Sequence, residues 1–291
     1  MIDQLLDSVP FVVVDGGLST ALEELGERPA GALWTAAALI DRPDVIVAAH
    51  RRFVEAGAEV VISSSYQASQ AGFEAAGCSA AEARRLLAST TSLARRSGAP
   101  VVAASVGPYG ACQADGSEYH GRYGVGWAHV RRFHAERLDV LVDTGADLFA
   151  VETMPSIAEA EIVVDELRRR TDSPAWVSFT CADDRRICSG DEFADAAASV
   201  APAVSWVGVN CTAPQHVDGL LHGVVGPAVA YPNHGGTWDP LAKSWSAGGP
   251  VFEPHRVAAW VHAGARLVGG CCGVGSADIA VLAELRAQWP A

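Results

Sequence analysis

Eight short apolar runs, rich in β-branched residues, recur along the 291-residue chain at intervals of about 36 residues, the length of a strand-plus-helix unit. They occupy 11–14, 59–63, 100–105, 148–152, 175–180, 206–211, 227–231 and 265–269. The runs are nearly continuous rather than alternating, which fits strands buried on both faces in a parallel sheet covered by helices. Between them, 44–56, 80–96, 125–144, 157–170 and 277–288 carry apolar residues at three- and four-residue steps, as Val45, Ala48, Ala49, Phe53 and Ala56 do. Glycines follow several of these segments, where a helix C-terminus favours one. Strand then helix, eight times over, predicts an α/β chain folded as one (β/α)8 barrel spanning residues 1–291. A doubly wound open sheet is the alternative.

Charge narrows the partners. With 21 basic against 34 acidic residues, a net charge of −13 repels nucleic-acid phosphates and anionic lipid. The expected partners are therefore small molecules, with no nucleic acid and no membrane, and the oligomeric state is left open. No apolar run is long enough to span a bilayer, and the amino terminus lacks the basic and apolar regions of a signal peptide, so a cytoplasmic protein is expected. The only lysine is Lys243, in a polar stretch, which argues against Schiff-base or phosphate-loop lysine chemistry. The seven cysteines lack the spacing of a secreted disulfide framework and read as buried thiols, metal ligands or nucleophiles.

In a barrel of this kind reactive groups gather where strands end. Here strand one runs into Asp15-Gly16-Gly17, strand two into Ser64-Ser65-Tyr66 and strand three into Gly107-Pro108-Tyr109. Strand four ends at Glu152-Thr153, strand six at Asn210-Cys211-Thr212, strand seven at Tyr231-Pro232-Asn233-His234, and strand eight at Gly269-Gly270-Cys271-Cys272-Gly273. Cys211, Cys271 and Cys272 thus fall at one end of the barrel, an arrangement suited to a catalytic zinc with one open position. Neighbouring residues of an extended strand point to opposite faces, so Cys271 and Cys272 reach one ion only if the glycines around them permit a turn or bulge. Buried thiols, or a redox or nucleophilic pair, are the alternatives. Cys78, Cys112, Cys181 and Cys188 read as structural. Gly273-Val274-Gly275, opening the last helix, could instead cradle a phosphate.

These strand-end motifs, in this order from residue 15 to residue 273, resemble the homocysteine S-methyltransferase family. Asp15-Gly16-Gly17-Leu18-Ser19-Thr20, Glu152-Thr153-Met154-Pro155, Val209-Asn210-Cys211-Thr212 and Gly269-Gly270-Cys271-Cys272-Gly273 carry the likeness. The resemblance implies a zinc-bearing barrel with Cys211, Cys271 and Cys272 as ligands. It also implies methyl transfer from a sulfonium, S-methylmethionine or S-adenosylmethionine, to the thiol of homocysteine, giving methionine. No catalytic residue is implied beyond the zinc-activated substrate thiol. Asp15 and Glu152 would hold the substrate ammonium, Asn210 would contact substrate or else orient a loop, and Trp34 and Tyr66 would line the methyl-donor pocket or else serve as core. Asp15 read alone is equally a turn or N-cap residue, and Glu152 a structural ion-pair partner.

Three rivals accompany this expectation. One keeps the chemistry with another acceptor such as selenocysteine. A second is a non-catalytic zinc- or thiol-binding barrel. The third is a phosphate-binding lyase or isomerase using Glu152 and Asp15 as acid and base. The sequence departs from the family at Val274-Gly275-Ser276, at His234, where the family carries a small residue, and at Arg122, where an acidic residue is frequent. His234 reads as a loop residue rather than a fourth ligand, and the role of Arg122 is left open.

Overall fold

The computed structural model describes residues 2–27, 33–236, 238–239, 244–246 and 248–289. Lys243 lies outside them. The eight barrel strands are β1 (Val12–Val13), β2 (Val60–Ile62), β3 (Val101–Val106), β4 (Leu148–Met154), β5 (Ala175–Phe179), β6 (Trp206–Asn210), β7 (Ala228–Tyr231) and β8 (Ala265–Val268). Each falls on one of the eight apolar runs. Neighbours in the sheet pair in parallel in the order β1-β8-β7-β6-β5-β4-β3-β2. The ring closes between its two ends, where Val14 bridges Val60, Asp15 N donates to Val60 O at 3.0 Å and Glu59 N donates to Val13 O at 2.8 Å. This is the (β/α)8 barrel the repeat predicts; the open sheet is ruled out by that closure.

The continuous apolarity of the runs has a geometric cause. Along β3, Val101 and Ala103 face inward with Val12, Leu148, Ala150, Trp176, Trp206 and Leu267, while Ala104 and Val106 pack outward with the helix layer. Both sets are needed, so the strands are apolar on both faces except near their C-terminal ends, where Ser105, Glu152, Ser178 and Asn210 are buried. The floor of the barrel is shut by the helix Ile2–Ser8, whose Ile2 joins the inner cluster with Leu5 and Leu6 packed against it. Arg266 ties this plug down by donating to the carbonyls of Leu6 and Val9.

The helices follow the apolar periodicity with small differences at their ends. Pro43–Glu55, Ala80–Arg95, Ile157–Arg168 and Ser276–Ala287 match their predicted segments to within two residues. The segment 125–144 is shorter as an α-helix, Trp127–Leu141, because its last turn tightens to a 3-10 helix, Val142–Thr144, before Gly145 in the left-handed region at φ 72°. At the other end of the same element, Gly126 rather than Val125 is the N-cap. Among the described residues no helix is long and apolar enough to cross a membrane.

Candidate metal centre and substrate site

Cys211, Cys271 and Cys272 come together at the C-terminal end of the barrel, their sulfurs all within 4.8 Å of one another. Cys211 Sγ stands 3.7 Å from Cys272 Sγ, and Cys271 Sγ stands 3.9 Å from Cys272 Sγ. All three are free thiols. Thiolates held tetrahedrally at about 2.3 Å from one ion lie about 3.8 Å apart, so the spacing fits a single thiophilic cation. Contact with Cys211, and then burial, push the Cys271 thiol well above its ordinary range. A cation at the centre would reverse that penalty, because coordination favours the thiolate.

The backbone explains how three sulfurs meet. Beyond Val268 the chain leaves β8 and the cysteine pair lies in a turn, closed by Val274 N donating to Cys271 O at 3.0 Å with Gly273 at φ 78°, rather than in extended strand. Gly269 and Gly270 serve differently from expectation. Neither has a positive φ; a Cβ on Gly269 would stand 2.7 Å from Val14 O, and one on Gly270 would stand 2.1 Å from Val274 Cγ1. They are glycines because the strand end is crowded, not because it turns there. Cys211 itself sits at φ 48°, a left-handed conformation that a non-glycine residue adopts only under constraint. Its N–H donates to Tyr231 O at 3.2 Å.

Asn210 couples the two strands that flank this centre. Its Oδ1 accepts from Thr153 N at 2.7 Å and from Ser178 Oγ at 2.8 Å. Its Nδ2 donates to Thr153 Oγ1 at 2.7 Å and approaches Cys271 Sγ at 3.9 Å. The amide's full hydrogen-bonding capacity is thereby engaged within the protein. Thr153 is likewise left-handed, φ 59°, at a register shift between β4 and β5, so Asn210 pins a bulge next to Glu152.

Glu152 and Asp15 are both buried beside the centre. Glu152 accepts from Ser105 Oγ, and from Tyr231 OH at 3.2 Å; its partners are hydroxyls rather than a cation. Burial pushes its carboxyl up to about 7, opposed by those hydroxyls and by the charge of Arg137. Asp15 Oδ2 accepts from Ile62 N at 3.0 Å, while Oδ1 is buried with no hydrogen-bond partner. Burial, and then repulsion from Glu152, push Asp15 well up, with the Ile62 amide opposing. The N-cap of the following helix, Leu18–Glu24, is Gly17, so Asp15 is not a cap. Two buried carboxyls that repel one another resist ionising together, and a positive charge beside them would relieve that.

Tyr66, one of the two aromatics predicted for the donor pocket, follows β2 at this face. A Cβ on Gly107 would stand 2.6 Å from Tyr66 Cδ2, so the ring lies directly against that glycine. The buried Arg137 fixes the loop beneath it, donating to Gly107 O at 2.9 Å, Ser65 O at 2.9 Å and Tyr66 O at 3.1 Å. Trp34 begins a 3-10 helix at φ 45° and is half-buried. Its neighbour Thr35 joins the β2 loop by donating to Gln67 Oε1 at 3.2 Å.

Tyr119, which sequence reasoning passed over, stands over the centre. Its hydroxyl lies 3.9 Å from Cys211 Sγ. The residue as a whole is 37% exposed with its hydroxyl directed at the cysteines, and the charge of Cys211 beside it raises its pKa above the ordinary value. The signal was available only as one more aromatic in the loop after strand three.

Other expectations resolve plainly. The His234 ring packs on Gly273, where a Cβ would stand 2.4 Å from it, and Nε2 lies 3.1 Å from Ser246 O. Among the described residues the group that could hold a metal is the three cysteines, without His234. The side chain of Arg122 is exposed. The amides at 273–275 are engaged inside the protein: Gly273 N donates to Thr20 Oγ1, Val274 N to Cys271 O and Gly275 N to Asp278 Oδ2. A phosphate cradle there would have to displace all three.

With this geometry in place, the relatives are informative. The family model described as homocysteine S-methyltransferase matches residues 12–286. Homocysteine S-methyltransferase YbgG of Bacillus subtilis is 37% identical, over 93% of each chain. A selenocysteine Se-methyltransferase of Brassica oleracea is 35% identical, over 94% of this chain and 88% of its own. Among solved structures, the metallated form of the homocysteine methyltransferase MmuM from Escherichia coli superposes with a TM-score of 0.85 at 36% identity, covering 97% of this chain and 98% of that one. The chain is a methyltransferase enzyme and belongs to the homocysteine S-methyltransferase family.

Proposed function

We propose that this enzyme transfers a methyl group from a sulfonium donor, S-methylmethionine or S-adenosylmethionine, to the sulfur of homocysteine, with zinc held by Cys211, Cys271 and Cys272. The observation that carries the reading is the sulfur spacing of 3.7 and 3.9 Å, which suits tetrahedral zinc with one position open. When bound, zinc supplies a thiol deprotonated at neutral pH and held in place.

The protein's own residues do the rest. Asp15 and Glu152 receive the substrate ammonium, which relieves their mutual repulsion. Tyr66 and Trp34 offer aromatic faces to the sulfonium. Asn210 contributes by holding Thr153 and Cys271 in position. The substrate sulfur attacks the methyl carbon in line, a new S–C bond forms, and the pair of the broken C–S bond leaves on the neutral thioether. No general base on the protein is needed for this step. The product would be methionine. A chemistry dependent on free thiols suits a reducing compartment, and we place the enzyme in the cytoplasm.

A second acceptor is favoured by one observation, the 35% identical relative named as a selenocysteine Se-methyltransferase. The test begins with metal content by elemental mass spectrometry on reduced wild-type and Cys271→Ser protein. About one zinc per chain in the wild type and little in the variant is expected from a site needing three thiolates. Equal content in both would remove the ligand assignment. Methyl transfer from each sulfonium to homocysteine and to selenocysteine, in competition, then separates the acceptors. Activity that survives loss of Cys271 would point back to acid–base chemistry by Glu152 and Asp15.

A further inference from the structure

The proposed reaction sets a problem of selectivity at its own centre. A sulfonium methyl is an electrophile, and the substrate sulfur shares the site with three cysteine sulfurs of the same chemistry. A cysteine thiolate attacking the methyl carbon would form its own S–CH3 bond, while the C–S bond of the donor breaks and its electron pair leaves on the thioether. The cysteine becomes a neutral thioether and a poor ligand. Something must make the protein sulfurs worse nucleophiles than the substrate.

Two of the three carry a polar group aimed at sulfur. Asn210 Nδ2 approaches Cys271 Sγ at 3.9 Å, and the Tyr119 hydroxyl approaches Cys211 Sγ at the same distance, the long end of the range for sulfur. The Tyr119 contact is the more consequential, because the Asn210 amide is already committed to Thr153 and Ser178, whereas the Tyr119 hydroxyl is directed at Cys211 Sγ. The backbone of Cys211 is also fixed, at φ 48° with Cys211 N donating to Tyr231 O at 3.2 Å, which sets the point from which the sulfur projects. A hydrogen bond to a thiolate draws on the lone-pair density that an electrophile needs.

We infer that the Tyr119 hydroxyl caps the Cys211 sulfur and keeps methyl transfer on the substrate rather than on the protein's own ligand. This rests on the thiolate centre proposed above. It makes Tyr119 a specificity residue whose loss is read as damage to Cys211, whether or not turnover changes.

The experiment exposes zinc-loaded wild-type, Tyr119→Phe and Tyr119→Ala proteins to methyl iodide without homocysteine. Methylation of Cys211 and Cys271 is followed by peptide mass spectrometry, with zinc release recorded alongside. In Tyr119→Phe, Cys211 should be methylated about tenfold faster than in wild type, the rate worth of one net hydrogen bond, with Cys271 unchanged as internal reference. Equal rates at Cys211, or equal acceleration at both cysteines, would overturn the inference. So would acceleration in Tyr119→Ala alone, because that outcome assigns protection to the bulk of the ring instead of the hydroxyl. Methyl iodide needs no donor pocket, which separates the two readings. A wild type that binds zinc but methylates homocysteine from no sulfonium sinks the proposed function and leaves the alkylation comparison intact. A wild type that takes up no zinc removes both.

Discussion

At Glu152, burial and function pull in opposite directions. An ionised carboxylate is what an ammonium requires, yet the site is dry enough to raise this group to about 7. Its pKa in the folded chain lies above its unfolded value, so its contribution to stability is complete below about pH 4 and is lost as pH rises through 7. Glu152→Gln should therefore be more stable than wild type at pH 8, by up to about 3 kcal/mol in denaturant melts without substrate. The same variant should bind methionine, which has the ammonium but no thiol proton, at least about tenfold more weakly. In wild type that affinity should climb between pH 6 and 8, the range about the Glu152 pKa; a pH-independent affinity would show that Glu152 does not hold the ammonium.

At the level of elements, the site depends on how closely β6 and β7 approach. Gly208 pairs with Val229, and a Cβ there would stand 1.8 Å from Val229 O. No rotamer relieves a clash with backbone, so the strands would have to separate. Gly208→Ala should cost about 3 kcal/mol or more in chemical denaturation, at the upper end for overpacking. Because β6 delivers Cys211 only three residues later, zinc affinity should fall with stability in this variant. Full stability would mean that the strand pair is looser than its register implies. The bulge at Thr153 is a second device of this scale. It extends β4 two residues beyond the predicted end at 152, and the Asn210 amide holds it.

Across the whole molecule, the proposed ligands come from β6 and β8, which lie on either side of β7 in the sheet, so metal binding should be linked to the assembly of these three strands. Cys211 follows β6, and the Cys271–Cys272 pair follows β8, which hydrogen-bonds to β1 and β7. A metal at a thousand times its dissociation constant stabilises the folded state by about 4 kcal/mol. Stripping with a chelator should lower the melting temperature of wild type and leave that of Cys271→Ser almost unmoved. Equal shifts in both would mean that the chelator acts elsewhere.

The sequence by itself determined the barrel, because a strand buried on both faces has no alternative to continuous apolarity, and eight such runs leave few topologies. It also determined which residues stand at strand ends, and so where Cys211, Cys271, Cys272, Asp15, Glu152 and Tyr66 would gather. It did not reveal that the turn after β8 is made at Gly273 while Gly269 and Gly270 answer crowding, since glycine has one letter for both reasons. Nor did it distinguish Asn210, whose amide is engaged by Thr153 and Ser178, from a residue facing substrate. Tyr119 was hidden for the same reason: no local pattern sets how a long loop folds back over a strand end. Those choices were decided by tertiary packing, in which backbone groups remote in sequence compete for the same hydrogen bonds and space.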